Sequence, residues 1–353
     1  MNDLVIRARA PLRLGLAGGG TDVSPYSDAY GGAIINVTID RYAYASIRFR
    51  TDNKVVFDSV DLGFSETFDV SDKIPETAKL KLHRGVYQRI MEQFGIGPTA
   101  ITLTTHVDAP MGSGLGSSSA LVVAMVGAFQ NWLHLPLGEY EIARLAFDIE
   151  RIDLGLAGGR QDQYAATFGG FNFMEFLASE RVIVNPLRIR SHIHNELESS
   201  ILLTFSGVSR ESDKIILSQS QSVSSGGKSL DAMHELKAEA SRMKEALLFG
   251  NLGMVAKIFA AGWEAKKRTS ASVTTPDVEK LFEVALNNGA LAGKLSGAGG
   301  GGFAMFIVDP DARPRLEAAI AAHTNARPTL CKLTLEGLAS WRYLPFDSKH
   351  RIG

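Results

Sequence analysis

Three glycine-rich loops hold the residue types best suited to chemistry. The middle one reads Pro110-Met111-Gly112-Ser113-Gly114-Leu115-Gly116-Ser117-Ser118-Ser119-Ala120. Glycines let a backbone approach a ligand closely and turn successive N–H groups toward it. The loop runs into Ser117 to Leu133, which is apolar on nearly all sides and predicts a buried helix. The unpaired amides and positive dipole end of that helix would face the loop and make it an anion site. Serine hydroxyls at that point can cap the helix or reach a hard cation. Phosphate binding is therefore assigned to Gly112, Ser113, Gly114, Leu115, Gly116, Ser117, Ser118 and Ser119.

The first loop, Ala10-Pro11-Leu12-Arg13-Leu14-Gly15-Leu16-Ala17-Gly18-Gly19-Gly20-Thr21-Asp22, follows an alternating segment that predicts a strand over Leu4–Arg9. Arg13 carries a permanent charge and can stabilise a developing negative one. Asp22 can accept hydrogen bonds from sugar hydroxyls. The third loop, Lys294-Leu295-Ser296-Gly297-Ala298-Gly299-Gly300-Gly301-Gly302-Phe303, is too rich in glycine for an ordinary hairpin. Ordering four consecutive glycines is entropically costly, so something must need the backbone bare.

Two other nucleotide motifs fail. Gly227-Lys228-Ser229 resembles the end of a Walker A loop, but position 222, where that loop needs glycine, is Ser222. Gly297, Gly299 and Gly302 fit G-x-G-x-x-G, yet a strand over Phe303–Val308 follows where a dinucleotide site needs a helix.

The elements around these loops are of mixed type. Strands are predicted at Ala33–Ile39, Tyr42–Phe49, Lys54–Asp58, Ala100–Thr105, Gly170–Phe176, Arg181–Pro186, Ile201–Phe205 and near Leu330–Leu335. Helices are predicted at Lys81–Phe94, Glu139–Arg151, Leu230–Phe249, Leu252–Lys267, Asp277–Asn288 and Ala312–Ala322. Gly155–Gly170 reads as a polar loop or short helix, and the Ser/Gln-rich run Ser218–Ser229 as an exposed connection. The pattern is α+β.

The chain has 353 residues, 45% of them apolar, which suits two packed domains. A net charge of −1 gives no reason to expect nucleic acid or an anionic membrane as partner. The N-terminus has no secretory h-region, and the longest apolar stretch, Ala120–Phe129, is too short to span a bilayer. The single cysteine, Cys331, rules out an internal disulfide, fits a cytoplasmic location and is expected to be a packing residue.

In this order, the loops resemble the three motifs of the GHMP kinase superfamily. Ala10-Pro11-Leu12-Arg13 with Thr21-Asp22 matches the first, Gly114-Leu115-Gly116-Ser117-Ser118 the second, and Ser296-Gly297-Ala298-Gly299-Gly300 the third. Gly19 and Gly20 stand where galactokinases carry Glu-His. Together with Gly159-Arg160-Gln161-Asp162-Gln163-Tyr164-Ala165-Ala166-Thr167-Phe168-Gly169-Gly170, these strings look like the heptose 7-phosphate kinase branch. The resemblance implies an N-terminal half like ribosomal protein S5 domain 2, residues 1–190, and a ferredoxin-like C-terminal half, residues 191–353. It implies ATP-dependent phosphorylation of the anomeric O1 of D-glycero-D-manno-heptose 7-phosphate, for surface polysaccharide precursors. Another sugar 1-kinase of galactokinase or fucokinase type, or a non-catalytic sugar sensor, are the alternatives.

The resemblance also implies roles. Asp162 would be the catalytic acid–base, beside Arg13. Ser118 and Glu150 would hold Mg2+, and Gly297 and Gly299 would join the ATP site. Gly18, Gly19, Gly20, Thr21 and Asp22 would face the sugar. A phosphate at the far end of the substrate would need Arg or Lys. Arg210, the cluster Lys266, Lys267 and Arg268, or Lys79, Lys81 and Arg84 could supply it. The expected partner is a small-molecule sugar phosphate; a homo-oligomer stays open.

Overall fold

The computed structural model describes residues 4–110, 112–207, 212–224 and 226–344; Met111 and Arg210 lie outside them. In the first part of the chain, β1 (Val5–Ala17) is followed by α1 (Tyr26–Tyr30), β2 (Gly32–Phe49), β3 (Lys54–Ser59) and β4 (Phe64–Asp69). Next come α2 (Lys81–Gln93), β5 (Ile101–Val107), α3 (Ser117–Leu133) and α4 (Glu139–Asp148). A π-helical turn, Ile149–Asp153, extends α4 and leads to α5 (Gln161–Phe168), β6 (Phe171–Phe176) and β7 (Val182–Pro186).

The second part has α6 (Ser191–Ser200), β8 (Ile201–Phe205), α7 (Ser212–Ser224), α8 (Lys228–Phe249) and α9 (Leu252–Thr269). A 3-10 turn, Ala271–Val273, precedes α10 (Pro276–Asn287), β9 (Ala290–Leu295) and β10 (Phe303–Val308). The last elements are α11 (Arg313–His323), β11 (Arg327–Thr329) and β12 (Ala339–Tyr343).

The larger sheet runs β12-β1-β2-β5-β3-β4, and β6 and β7 extend from the first half of β2. The two strands expected at Ala33–Ile39 and Tyr42–Phe49 are one strand with a bulge. Pairing passes from Pro11↔Tyr42 to Arg13↔Thr38, so extra residues of β2 bow out opposite Leu12. Bulges re-aim neighbouring side chains, and this one adjoins Arg13. The smaller sheet has the order β11-β8-β10-β9 and is wholly antiparallel. In chain order that is fourth, first, third, second, the ferredoxin-like arrangement.

One core cluster runs from β1 and α3 through Leu203 of β8 to Met243 of α8 and Phe259 of α9, so the halves share an interior. A second lies between the small sheet and α10 and α11. The chain end recrosses residue 190: β12 pairs antiparallel with β1, and Leu338 packs against Gly127 of α3.

The Ser/Gln-rich run is not an open connection. Its first part is helix α7, with Gln219 and Val223 buried; Ser, Gln, Ile and Val side chains share an inner face that composition alone hides. Near Leu330–Leu335 there is a single bridge, Leu333 to Ile39, and the pairing strands lie on either side at β11 and β12. Cys331 is buried, as expected of a packing residue. Among the described residues no helix is long and apolar enough to cross a membrane.

Candidate active site

All three glycine loops meet at Arg13. Arg13 is 4% exposed, and its backbone N–H donates to the Leu115 carbonyl at 3.0 Å. The guanidinium donates Nε to Asp162 Oδ1 at 2.7 Å, with Nη2 2.6 Å from the same oxygen. Nη1 donates to the Gly114 carbonyl at 2.5 Å and reaches Ser296 Oγ at 3.4 Å. One fork thus joins β1, the second loop, the third loop and the first turn of α5.

The bareness of the loops has local causes. A Cβ on Gly302 would sit 2.4 Å from the Ser113 carbonyl, and one on Gly114 2.4 Å from the Ser296 carbonyl. Phe303 N–H donates to the Ser113 carbonyl at 2.9 Å, so the loops are laced backbone to backbone. Gly299 lies against the Val273 carbonyl. The third loop therefore needs glycine chiefly to let the second loop in.

The second loop alternates. Gly112, Gly114, Gly116, Ser117, Ser118 and Ser119 line an open cleft, whereas Ser113 and Leu115 are fully buried behind it. Gly116 caps α3 in a left-handed conformation, φ 74°, and no side chain caps the helix. The serines leave its first N–H groups to face the cleft. Gly20, Asp22 and Gly297 share that cleft with Arg13 and Asp162. Thr21 does not: its hydroxyl donates to Gly18 and Ala33 carbonyls and accepts the Ala33 N–H, which holds the turn shut. Gly18 is packed against the Ala33 carbonyl.

Asp22, 2% exposed, accepts the N–H groups of Arg160 at 2.9 Å and Gln161 at 3.0 Å through Oδ2. Its carboxylate thereby caps the N-terminus of α5 from another part of the chain. Burial raises its pKa, opposed by those amides and reinforced by the nearby Asp162.

Glu150 is fully buried in the π-helical turn. Ser118 Oγ donates to its Oε1 at 2.8 Å, and Gln163 Nε2 donates to its Oε2 at 2.6 Å and to Ser119 Oγ at 3.1 Å. Ser118 and Glu150 thus present adjacent hard oxygens at the mouth of α3. Among the described residues there is no cluster of three or more His, Cys, Asp or Glu for a metal. One carboxylate and one hydroxyl are nonetheless hard-oxygen ligands of the kind magnesium takes beside phosphate oxygens and water.

The basic candidates separate. Lys267 pairs with Glu264 on its own helix at 2.8 Å, and Arg268 pairs with Glu235 of α8. Lys79 lies over the Phe64 ring, Lys81 is exposed and Arg84 donates to the Pro75 carbonyl. Lys266 alone among these lines the cleft. Arg210 falls outside the described residues.

Sequence reasoning missed the orienting role of Gln163 and did not separate Lys266 from its neighbours. The signal was helical phase: Val255, Phe259, Gly262 and Lys266 recur on the buried stripe of α9, which Lys267 and Arg268 leave. Lys294 is a further cation beside Arg13 and Lys266. Its ammonium donates to the Gly15 and Leu16 carbonyls at 2.9 and 3.1 Å, and burial draws its pKa down to about 7.

Residues 81–170 match the model of the GHMP kinases N terminal domain, and residues 230–326 that of the GHMP kinases C terminal domain. The chain is 46% identical over 337 residues to the D-glycero-alpha-D-manno-heptose 7-phosphate kinase of Campylobacter jejuni, covering 96% of this chain and 99% of that one. Its fold superposes with a TM-score of 0.81 on a D-glycero-D-manno-heptose 1-phosphate kinase from Bacteroides thetaiotaomicron, at 42% identity over 95% of this chain and 98% of that one. Lactococcus lactis galactokinase complexed with galactose shares the fold at 19% identity, TM-score 0.74, over 95% of each chain. With both domain models matched in order and near-full-length relatives above 40% identity, the chain belongs to the GHMP kinase family.

Proposed function

We propose that this protein transfers the γ-phosphoryl group of ATP to the anomeric O1 of D-glycero-D-manno-heptose 7-phosphate, giving the 1,7-bisphosphate and ADP. The observation that carries the reading is the Arg13 fork, which sets Asp162 in a cleft walled by the uncapped amides of α3. Transfer to O1 of a 7-phosphorylated heptose also accommodates both relatives' names: one cites the phosphate already present, the other position 1. The product would feed surface polysaccharide precursors, and the work belongs in the cytoplasm, where ATP is available.

Phosphoryl transfer needs positioning and charge neutralisation more than covalent help from the protein. Gly112, Gly114 and residues 116–119, with Gly297, cradle the triphosphate through backbone N–H groups. Asp162 accepts the proton of the O1 hydroxyl as the O1–phosphorus bond forms and the bond to the departing ADP oxygen breaks. Arg13 holds Asp162 in line and offers positive charge to the phosphoryl oxygens. Asp22, whose Oδ1 is only weakly engaged by Gln161 at 3.4 Å, accepts from sugar hydroxyls over the bare backbone of Gly19 and Gly20. Ser118 and Glu150 would hold Mg2+, which neutralises phosphate charge when bound. In this division residues 1–190 carry the ATP, magnesium and sugar motifs, and residues 191–353 add the third loop.

The test is kcat/KM measured side by side on heptose 7-phosphate, heptose, L-fucose and galactose. A clear preference for the phosphorylated heptose is the expected result; higher efficiency on fucose or galactose would move the assignment to another sugar 1-kinase. No nucleotide consumption with any of them would favour a sensor. Ser118→Ala and Glu150→Gln are expected to shift the magnesium concentration for half-maximal rate upward by about tenfold while moving the sugar KM little, as for loss of one charged contact. Unchanged magnesium saturation in both variants would reassign the ligands.

A further inference from the structure

Lys266 is 9% exposed, yet its ammonium reaches the cleft. Its partners are neutral acceptors, the Gly19 carbonyl at 3.2 Å and Gln219 Oε1 at 3.4 Å, and among the described residues it makes no ion pair. A buried ammonium held only by neutral acceptors is unfavourable unless a nearby charge or a ligand compensates it, and Asp22 is the nearby carboxylate. Burial draws its pKa from 10.5 down to about 8, against the pull of Asp22.

Its place in the cleft follows from the first loop. That loop meets Lys266 at Gly19 and Gly20 and, two residues later, meets the N-terminus of α5 through Asp22. Asp162 and Arg13 mark the reacting centre beside α5, and Lys266 enters the same cleft from α9 at Gly19 and Gly20. Gly20 makes the room: at φ +100°, a Cβ there would lie 3.0 Å from Lys266 Nζ. Gly19 and Gly20 leave this space bare, and α9 brings a cation into it.

We propose that Lys266, seated by Gly20 and Gln219, receives the phosphate at the far end of the sugar substrate and so sets specificity, a proposal that rests on the sugar-phosphate reading above. The neutral carbonyls position the ammonium without neutralising it, leaving its charge for the substrate. Selectivity then comes from a buried charge that an unphosphorylated sugar leaves unpaired.

The experiment compares wild type, Lys266→Met, Lys266→Arg and, as a control outside the cleft, Lys267→Met. Each is assayed for kcat/KM on D-glycero-D-manno-heptose 7-phosphate and on the free heptose, for the KM of ATP, and for melting temperature. Lys266→Met is expected to lower the ratio of kcat/KM, phosphorylated over free sugar, by about ten- to a hundredfold, the worth of one hydrogen bond to a charged group. The KM for ATP should hold, Lys266→Arg should recover part of the ratio, and Lys267→Met should keep it. An unchanged ratio in Lys266→Met overturns the proposal. So does a rise in the KM for ATP, which would assign the ammonium to the donor's phosphates. Parallel loss on both sugars with a lower melting temperature overturns it as well, by making Lys266 a structural brace. Wild type that treats both sugars alike would remove the sugar-phosphate reading itself, before any variant is compared.

Discussion

Replacing Asp162 by Asn is expected to lower kcat by about 10²–10⁴-fold, the scale of a positioned acid–base group, while the KM for ATP hardly moves. Asn keeps the shape and one acceptor oxygen, so Arg13 Nε can still donate to it and the loops stay joined. Two things are lost: the capacity to take the proton from the attacking hydroxyl, and the charge that holds the guanidinium fork in register. The effect therefore belongs to kcat, not to folding or to nucleotide affinity. Steady-state rates, with melting temperature as the check on folding, decide it. Turnover near that of wild type would remove Asp162 from the mechanism.

The parts of the site written as local patterns were legible in the sequence. Ser117–Leu133 has the predicted bounds because a glycine-rich turn meets an apolar run with no competing signal. Arg13, Ser118, Glu150 and Asp162 could be named from motif context, and the cleft brings Arg13, Ser118 and Asp162 together over Glu150. What could not be read were the contacts made across long separations. The reach of Asp22 to the amides of residues 160 and 161, and the seat of Lys266 against Gly19, join segments that no local period links. The return of β12 onto β1 is of the same kind, since its five residues carry no marker of which sheet they join. The glycines of the third loop were rightly read as needing a bare backbone. The sequence could not show that another loop of the same chain is the principal neighbour that demands it.

Gly159→Ala is expected to cost activity by about a hundredfold or more, although residue 159 proposes no chemistry of its own. The reason is steric. An added Cβ would lie 1.9 Å from Asp22 Oδ2 and 2.4 Å from its Cγ, inside any permitted contact. The backbone of Gly159 lies outside the left-handed region, so alanine would fit there but for Asp22. Either Asp22 leaves the N-terminus of α5, abandoning the Arg160 and Gln161 amides, or α5 moves away from it. The first course loses the proposed sugar acceptor. The second carries Asp162 off the Arg13 fork and Gln163 off Glu150, because both sit in the first turn of that helix. Stability should fall by about 1–3 kcal/mol, the usual cost of overpacking. The clash account makes a sharper claim through a double-mutant cycle. In an Asp22→Ala background the obstructing carboxylate is gone, so adding Gly159→Ala should cost little further stability, a coupling of the kind expected for residues in contact. Melting curves of wild type, the two single variants and the double variant give the result. If Gly159→Ala destabilises equally in both backgrounds, the glycine is required for some reason other than admitting Asp22.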